Sequence, residues 1–434
     1  MTLASPRVFG AYSSISIVTS ESQVLSGTPV ICDLTQSYSA KGGGIRTYLA
    51  EKRQFLIENS DAHHCLIVPG EEDRIIDEGR WSRIEIASPK VPGSPNYRLL
   101  LRSPAVVKAL RHVMPDTIEC LDAYNLPWAA LYHRRKFPRT ALIAGYHTDF
   151  PTVYVEKFLA KRVGKTLARG MKSLSYKYAA NLYRRFDAFY TLTESAAAHF
   201  ETLRTPGAKI LPLGADTVCF DPNKRSAALR TELGVGDDGP LLIYAGRIDR
   251  EKKARVIVEA FKKLPASWRT GLVMLGNGNE REALVRECEG YNAHFPGYVD
   301  DRQTLAKYLA SSDIYVSAME DETFGISVVE AQSAGLPVVG VRAGAMVDRV
   351  RPHLGRLGAP GDAGEMAANI AAVWMDRLSP MRDHARQHIL DNFSWRMTFE
   401  ALYYDIYRKA IAARAPELLN GFLGQSQGVR RKAI

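Results

Sequence analysis

IYVSAMEDETFGISVVEAQSAGLPVVGV, residues Ile314–Val341, decides the architecture of this chain. It opens on the apolar run Ile314–Ser317 and passes an acidic loop. From near Phe324 it continues as an apolar run read as a helix, and it closes on Pro337–Val341, which carries no charge. Strand, helix, strand at this spacing is a βαβ unit, whose two strands run parallel and need cover on both faces.

The alternation extends in both directions. Upstream, Leu241–Gly246 and Gly271–Leu275 read as strands of the same series. An earlier series holds Thr28–Leu34, His64–Val68, Thr117–Leu121, Ala141–His147, Ala188–Leu192 and Lys209–Leu213, with helical stretches between most of them. The Gly-, Pro- and Asp-rich stretch 221–239 separates the two series and reads as a linker. The expected fold is therefore α/β, with one doubly wound domain over residues 28–220 and a second over 240–392. Ligands of such sheets bind at the carboxyl ends of the strands, and a cleft between two such domains is the expected active site.

Composition agrees. A chain of 434 residues is too long for one ordinary core. Its 46 % apolar and 24 % charged residues are those of a globular protein, which excludes a disordered or collagenous chain. No apolar stretch is long enough to span a membrane. Cys32, Cys65, Cys120, Cys219 and Cys288 are odd in number and widely spaced, and read as reduced buried thiols. Residues 1–27, rich in Ser and Thr with Arg7 the one basic residue, read as a flexible lead-in without a secretion signal, the alternative being that the mildly β-prone Ser14–Val18 packs as a strand. The basic tail 424–434 is expected to fray.

Four stretches carry chemistry. Gly42-Gly43-Gly44 follows the first strand and opens a helix over Ile45–Asn59; it suits close approach to a phosphate or serves as a flexible turn. Gly246-Arg247-Ile248-Asp249-Arg250-Glu251-Lys252-Lys253 follows a strand. Arg247 and Lys252 there suit a diphosphate, by bidentate fork and point charge, or form a solvated turn. Asn277 and Gly278 end the next strand and suit the base or ribose of a nucleotide, or a tight turn. Glu322 and Glu330 flank a helix start at which the amides of Phe324, Gly325 and Ile326 face an anion. Glu330, set in an apolar run, suits ribose hydroxyls.

These strings together resemble the retaining family 4 glycosyltransferases of GT-B fold. Glu322–Val339 resembles the family's E-x7-E region, and Gly246–Lys253 its donor loop, with Lys253 where the family has glycine. Leu213–Asp216 with Phe220-Asp221-Pro222 resembles the crossing into the linker, with Leu213 in place of Asn. Phe393-Ser394-Trp395 resembles the start of a C-terminal helix, here 393–423, that crosses back to the first domain. The resemblance implies two Rossmann-like domains facing across a cleft and retention at the anomeric carbon. It also implies a role for each matching residue. Arg247 and Lys252 bind the donor diphosphate, and Glu330 binds the ribose. Glu322 lies beside the transferred sugar, and Phe324 and Gly325 touch sugar and phosphate through their amides. His147, in Tyr146–Pro151 (YHTDFP), matches the family's active-site histidine, and that string resembles its glycolipid-forming branch. With Arg247, Lys252 and helix N-termini to stabilise the leaving diphosphate and no DxD-like motif, no metal cofactor is expected.

The formal charge is +10, and residues 155–186 hold nine Lys/Arg against Glu156 alone. Lys157, Lys161, Arg162, Lys165, Arg169 and Lys172 accompany an apolar stripe of Phe158, Leu159, Val163, Leu167, Met171 and Leu174. A cationic amphipathic helix of this kind suits an anionic membrane surface, each basic residue contributing about 1 kcal/mol. The alternative is a surface helix whose apolar face packs on its own domain. Nucleic acid is the rival anionic partner, but no recognition module or stacking platform accompanies the charge. The expectation is a cytoplasmic, peripherally bound glycosyltransferase that moves a sugar from a nucleotide diphosphate sugar to a lipid or lipid-linked glycan. A soluble sugar or polyol acceptor and a non-catalytic binding scaffold are the alternatives.

Overall fold

A computed structural model describes residues 16–19, 28–39, 43–91, 94–156, 164–205, 207–236 and 238–419. The chain divides into two compact units, Met1–Leu211 with Phe399–Ile434, and Pro212–Thr398.

In the second unit the strands lie in the order Ala293–Gly297, Gly271–Leu275, Leu241–Ala245, Ile314–Val316, Val338–Val341 and Gly355–Gly358, all parallel. The chain starts at the third position, winds outward, then returns to wind the other way. This is the Rossmann order, whose switch point lies between Leu241–Ala245 and Ile314–Val316. Both faces are buried, as a parallel sheet requires. Leu242, Tyr244, Leu272, Met274, Ile314 and Val316 enter one core, while Leu241, Ile243, Val273, Leu275 and Tyr315 enter the opposite one. Odd and even positions part because side chains alternate along a strand.

The sheet of the first unit runs Ser16–Thr19, Arg74–Asp77, Trp81–Ala87, His63–Gly70, Val30–Leu34, Thr117–Cys120, Ala141–Tyr146, Ala188–Thr191 and Lys209–Ile210. Its switch point falls between Val30–Leu34 and Thr117–Cys120. Neighbouring strands are parallel except Arg74–Asp77 against Trp81–Ala87.

Two expectations are corrected. Ser16–Thr19, placed in the flexible lead-in, pairs in parallel register with Arg74–Asp77; the rest of 1–27 and the tail 424–434 lie outside the described residues. Stretch 221–239 is no free linker: its Leu229, Leu233 and Val235 bury themselves in the second unit's core beside Cys219 and Phe220, and the helix Ala227–Glu232 is capped by the Ser226 hydroxyl. Its Gly and Pro mark turns within a domain, and the chain changes unit earlier, at Leu211/Pro212. Strands Arg74–Asp77, Trp81–Ala87, Ala293–Gly297 and Gly355–Gly358 went unpredicted. Trp81–Ala87 alternates apolar and charged residues instead of running apolar, so only Ile84 and Ile86 signal it.

Candidate active site: donor loops and a buried histidine

The loops that follow the two strands at the second unit's switch point carry the predicted donor residues. Gly246–Lys253 leaves Leu241–Ala245, and Ser317–Gly325 leaves Ile314–Val316. Two ion pairs bridge the loops: Lys252 Nζ lies 3.3 Å from Glu322 Oε2, and Lys253 Nζ 3.4 Å from Glu320 Oε1. The structure thus brings together Lys252 and Glu322, which are 70 residues apart in sequence.

Arg247 is held by two carboxylates, Asp249 Oδ2 at 2.5 Å and Glu251. Asp249, which the motif leaves without a role, accepts from Arg247 with one oxygen and from the backbone amide of Asn279 with the other, at 3.0 Å. It ties the loop after Leu241–Ala245 to that after Gly271–Leu275. The backbones of these loops also interlock, Ile248 N donating to Asn277 O at 3.0 Å and Glu280 N to Ile248 O at 3.0 Å. Asn277 and Gly278 therefore serve loop-to-loop contact through their backbones, with the Asn277 side chain exposed. Gly276 permits the approach: its φ is +138°, and a Cβ there would sit 1.9 Å from Gly246 O.

The helix expected near Phe324 is Ile326–Ser333, with Gly325 at φ +84° as its N-cap. Within any helix the first amides, here Ile326 and Ser327, have no intrahelical acceptor, and the helix dipole makes that end positive. Glu330 is buried, and Arg302 Nη1 stands 3.8 Å from its Oε1. Phe324 is also buried. Its ring faces the Arg349 guanidinium at 4.5 Å and the Phe393 ring at 6.2 Å, so its side chain anchors the loop from behind. Arg302 and Arg349 were not foreseen, because nothing near either in sequence marks it.

In the first unit, Gly43 (φ +102°) caps the helix Gly44–Asn59, and both glycines are exposed; Gly42 lies outside the described residues. His147 ends the strand Ala141–Tyr146 and is buried. Its Nε2 is 2.7 Å from Tyr190 Oη, and its ring packs 4.7 Å from that of Tyr48. Burial, aided by the nearby Lys52 ammonium, pushes its pKa down to about 3, so the ring is neutral at pH 7. Lys52 is itself fully buried between Asp33 (2.5 Å) and Glu119 (2.7 Å). At the switch point Asp122 accepts from the Gln36 amide at 2.7 Å and the Thr35 hydroxyl at 3.1 Å, and burial pushes it up to about 6.

Of the predicted membrane residues, Lys157, Lys161 and Arg162 lie outside the described residues. Gly164 (φ +82°) is the N-cap of the helix Lys165–Tyr183, and Phe158, Leu159 and Val163 of the apolar stripe also lie outside the described residues. Arg169 is exposed and Lys172 half-buried. Leu167, Met171, Leu174 and Tyr178 stand at spacings of four, three and four, 56 %, 38 %, 66 % and 36 % exposed. Ala168, Ala179, Leu182 and Tyr183 fill the inward face instead. The alternative in which the apolar stripe packs on its own domain does not hold for these residues. Trp128 and Tyr132 of the neighbouring helix Leu126–Lys136 are also exposed, and Trp128 Nε1 donates to Tyr178 Oη at 2.8 Å.

Two Rossmann-like units, with charged loops carrying Arg247, Lys252 and Glu322 at the switch point of the second, are the architecture of the GT-B fold. Residues 226–389 match the profile "Glycosyl transferases group 1" and residues 42–218 "Glycosyltransferase Family 4". The chain belongs to the family 4 glycosyltransferases. It is 24 % identical over 393 residues to a GDP-mannose-dependent alpha-(1-6)-phosphatidylinositol dimannoside mannosyltransferase of Mycobacterium tuberculosis, covering 88 % of this chain and 97 % of the relative. It is 27 % identical over 323 residues to the sulfoquinovosyl transferase SQD2 of Arabidopsis thaliana, covering 72 % and 60 %. Among solved structures, sucrose-phosphate synthase from Thermosynechococcus elongatus superposes with a TM-score of 0.71 at 19 % identity, over 89 % of this chain and all of that one. HepE from Anabaena, bound to UDP-glucose, superposes with a TM-score of 0.65 at 17 % identity, over 87 % and 99 %.

Proposed function

We propose that this enzyme transfers a hexosyl group, with retention, from a nucleotide diphosphate sugar to a hydroxyl of a membrane lipid or lipid-linked glycan. It works without a metal, from the cytoplasmic side of an anionic membrane. The observation that carries the lipid reading is the outward stripe Leu167, Met171, Leu174 and Tyr178, beside Arg169 and Lys172 and the exposed rings of Trp128 and Tyr132. An apolar face with cationic flanks and interfacial aromatic rings enters the boundary of an anionic bilayer. The mycobacterial relative, named for a phosphatidylinositol substrate, supports the same reading and makes GDP-mannose the first donor to test.

Cleavage of the sugar–phosphate bond leaves positive charge on the anomeric carbon and negative charge on the diphosphate. Arg247, Lys252 and the amides opening the helix Ile326–Ser333 stabilise the leaving group. Glu330 holds the ribose, and Glu322 and His147 attend the transferred sugar. No covalent nucleophile is assigned. The acceptor hydroxyl attacks from the face the diphosphate leaves, and the departing phosphate takes its proton.

The test pairs a thermal-shift screen of GDP, UDP and ADP and their sugars, without metal, with transfer to phosphatidylinositol-containing vesicles. A ligand that binds only the folded protein raises its melting temperature. Glu322→Ala is expected to fold and to lose transfer. Leu174→Glu is expected to weaken vesicle binding at least tenfold, since burying a leucine contributes about 1.5–3 kcal/mol, and to leave nucleotide binding intact. Full transfer to a free inositol phosphate with no vesicle binding would replace the lipid acceptor by a soluble one.

A further inference from the structure

His147 does not stand alone in the first unit. Its Nε2 meets Tyr190 Oη, and Tyr190 donates its proton to Glu119 Oε1. Glu119 is fully buried and accepts four times: from Tyr48 Oη (2.9 Å) and Tyr190 on Oε1, and from Lys52 Nζ (2.7 Å) and Tyr407 Oη on Oε2. A carboxylate has about four lone-pair sites, so Glu119 is saturated as an acceptor and has no proton to give back. Lys52 also donates to Asp33, which accepts from His64 Nε2 at 2.6 Å. Lys52 and Asp33 lie side by side as a buried ion pair. Burial works to raise Asp33, but the ammonium and the His64 N–H hold it below the ordinary carboxylate value.

A hydroxyl has one proton. With that of Tyr190 committed to Glu119, Tyr190 Oη can only accept from His147. We propose that Tyr190 is a positioning residue that, anchored by Glu119, fixes His147 as the Nε2–H tautomer and leaves Nδ1 as the hydrogen-bond acceptor presented to substrate. A neutral ring with a fixed tautomer offers one acceptor at one place, where a freely exchanging ring would offer it half the time and elsewhere. Tyr407 comes from the chain's return after residue 398, so the site's anchor includes a residue 288 positions from Glu119. The inference rests on the reading of His147 as the residue beside the transferred sugar.

The experiment is long-range proton–nitrogen NMR on the full-length protein labelled with 15N-histidine at pH 7, the His147 signal identified by its loss in His147→Asn. Wild type is expected to carry the proton on Nε2. In Tyr190→Phe that proton loses its acceptor and the two tautomers mix, while kcat falls about five- to tenfold, the scale of one lost hydrogen bond, and donor KM stays within about twofold. A wild-type proton on Nδ1, or a doubly protonated ring, overturns the proposal without any variant and whether or not Tyr190→Phe folds. So does an unchanged tautomer in folded Tyr190→Phe. Unchanged turnover in His147→Ala, with the tautomer as expected, would instead overturn the reading of His147 as an active-site residue.

Discussion

Gly276→Ala tests the donor-loop arrangement most sharply. The residue sits at φ +138°, where side chains are rarely tolerated, and a methyl there would come within 1.9 Å of Gly246 O and 2.9 Å of Gly246 C. That obstacle is backbone, so no rotamer change relieves it. The conformation alone costs about 1–3 kcal/mol. Overpacking against a fixed neighbour adds about 1–3 kcal/mol. Gly290 separates the two effects: it has φ +81° with nothing within 4 Å of its would-be Cβ, so Gly290→Ala carries the conformational cost without the clash. For a unit of this size 1 kcal/mol shifts the melting temperature by ~2–4 °C. Calorimetry should therefore show Gly276→Ala melting ~4–24 °C below wild type and several degrees below Gly290→Ala. Because Gly246 begins the loop that holds Arg247 and Lys252, titration calorimetry should also show nucleotide affinity lost in Gly276→Ala and retained in Gly290→Ala. Equal melting temperatures for the two variants, with unchanged nucleotide affinity, would refute the contact between these loops.

Two further outcomes follow from particular contacts. Lys253 occupies a left-handed conformation (φ +55°) at the position where the family pattern carries glycine, so Lys253→Gly should raise the melting temperature, by up to ~1–2 kcal/mol in stability less the entropy that glycine adds to the unfolded chain. A lower melting temperature would mean that the 3.4 Å ion pair with Glu320 outweighs the backbone strain. Lys52→Met leaves Asp33 and Glu119 buried without their cation and should destabilise the first unit by about 3–5 kcal/mol, read as an early calorimetric transition; a loss below 1 kcal/mol would mean that Lys52 does not form the buried ion pairs.

The loops at the second sheet's switch point were legible because their residues are local in sequence. Arg247 and Lys252 follow one strand at once, Glu322 and Gly325 follow another, and a parallel sheet carries both to its carboxyl edge. Glu330 falls on the buried side of its helix, as the surrounding apolar run implied. Asp249 was in view but unassigned, since its bond to the Asn279 amide exists only after two loops meet. Of the buried cluster in the first unit, only His147 was picked out by its sequence. Glu119 stands inside a strand, Tyr190 inside another and Tyr407 in a terminal helix, and each in isolation reads as an ordinary core or surface residue. The outward face of Lys165–Tyr183 was equally undecidable, because an amphipathic pattern states that one face is apolar without stating what covers it.

Sequence by itself determined the two α/β domains, the parallel sheets and the loops at the second sheet's carboxyl edge, because these depend on periodicity and on residues a few positions apart. Tertiary structure alone decided where the chain changes unit, which apolar stripe meets solvent, and how Glu119 gathers Lys52, Tyr48, Tyr190 and Tyr407 behind His147. Those outcomes depend on burial and on contacts between distant segments, and burying a charge is tolerable only once the groups that satisfy it have been brought together.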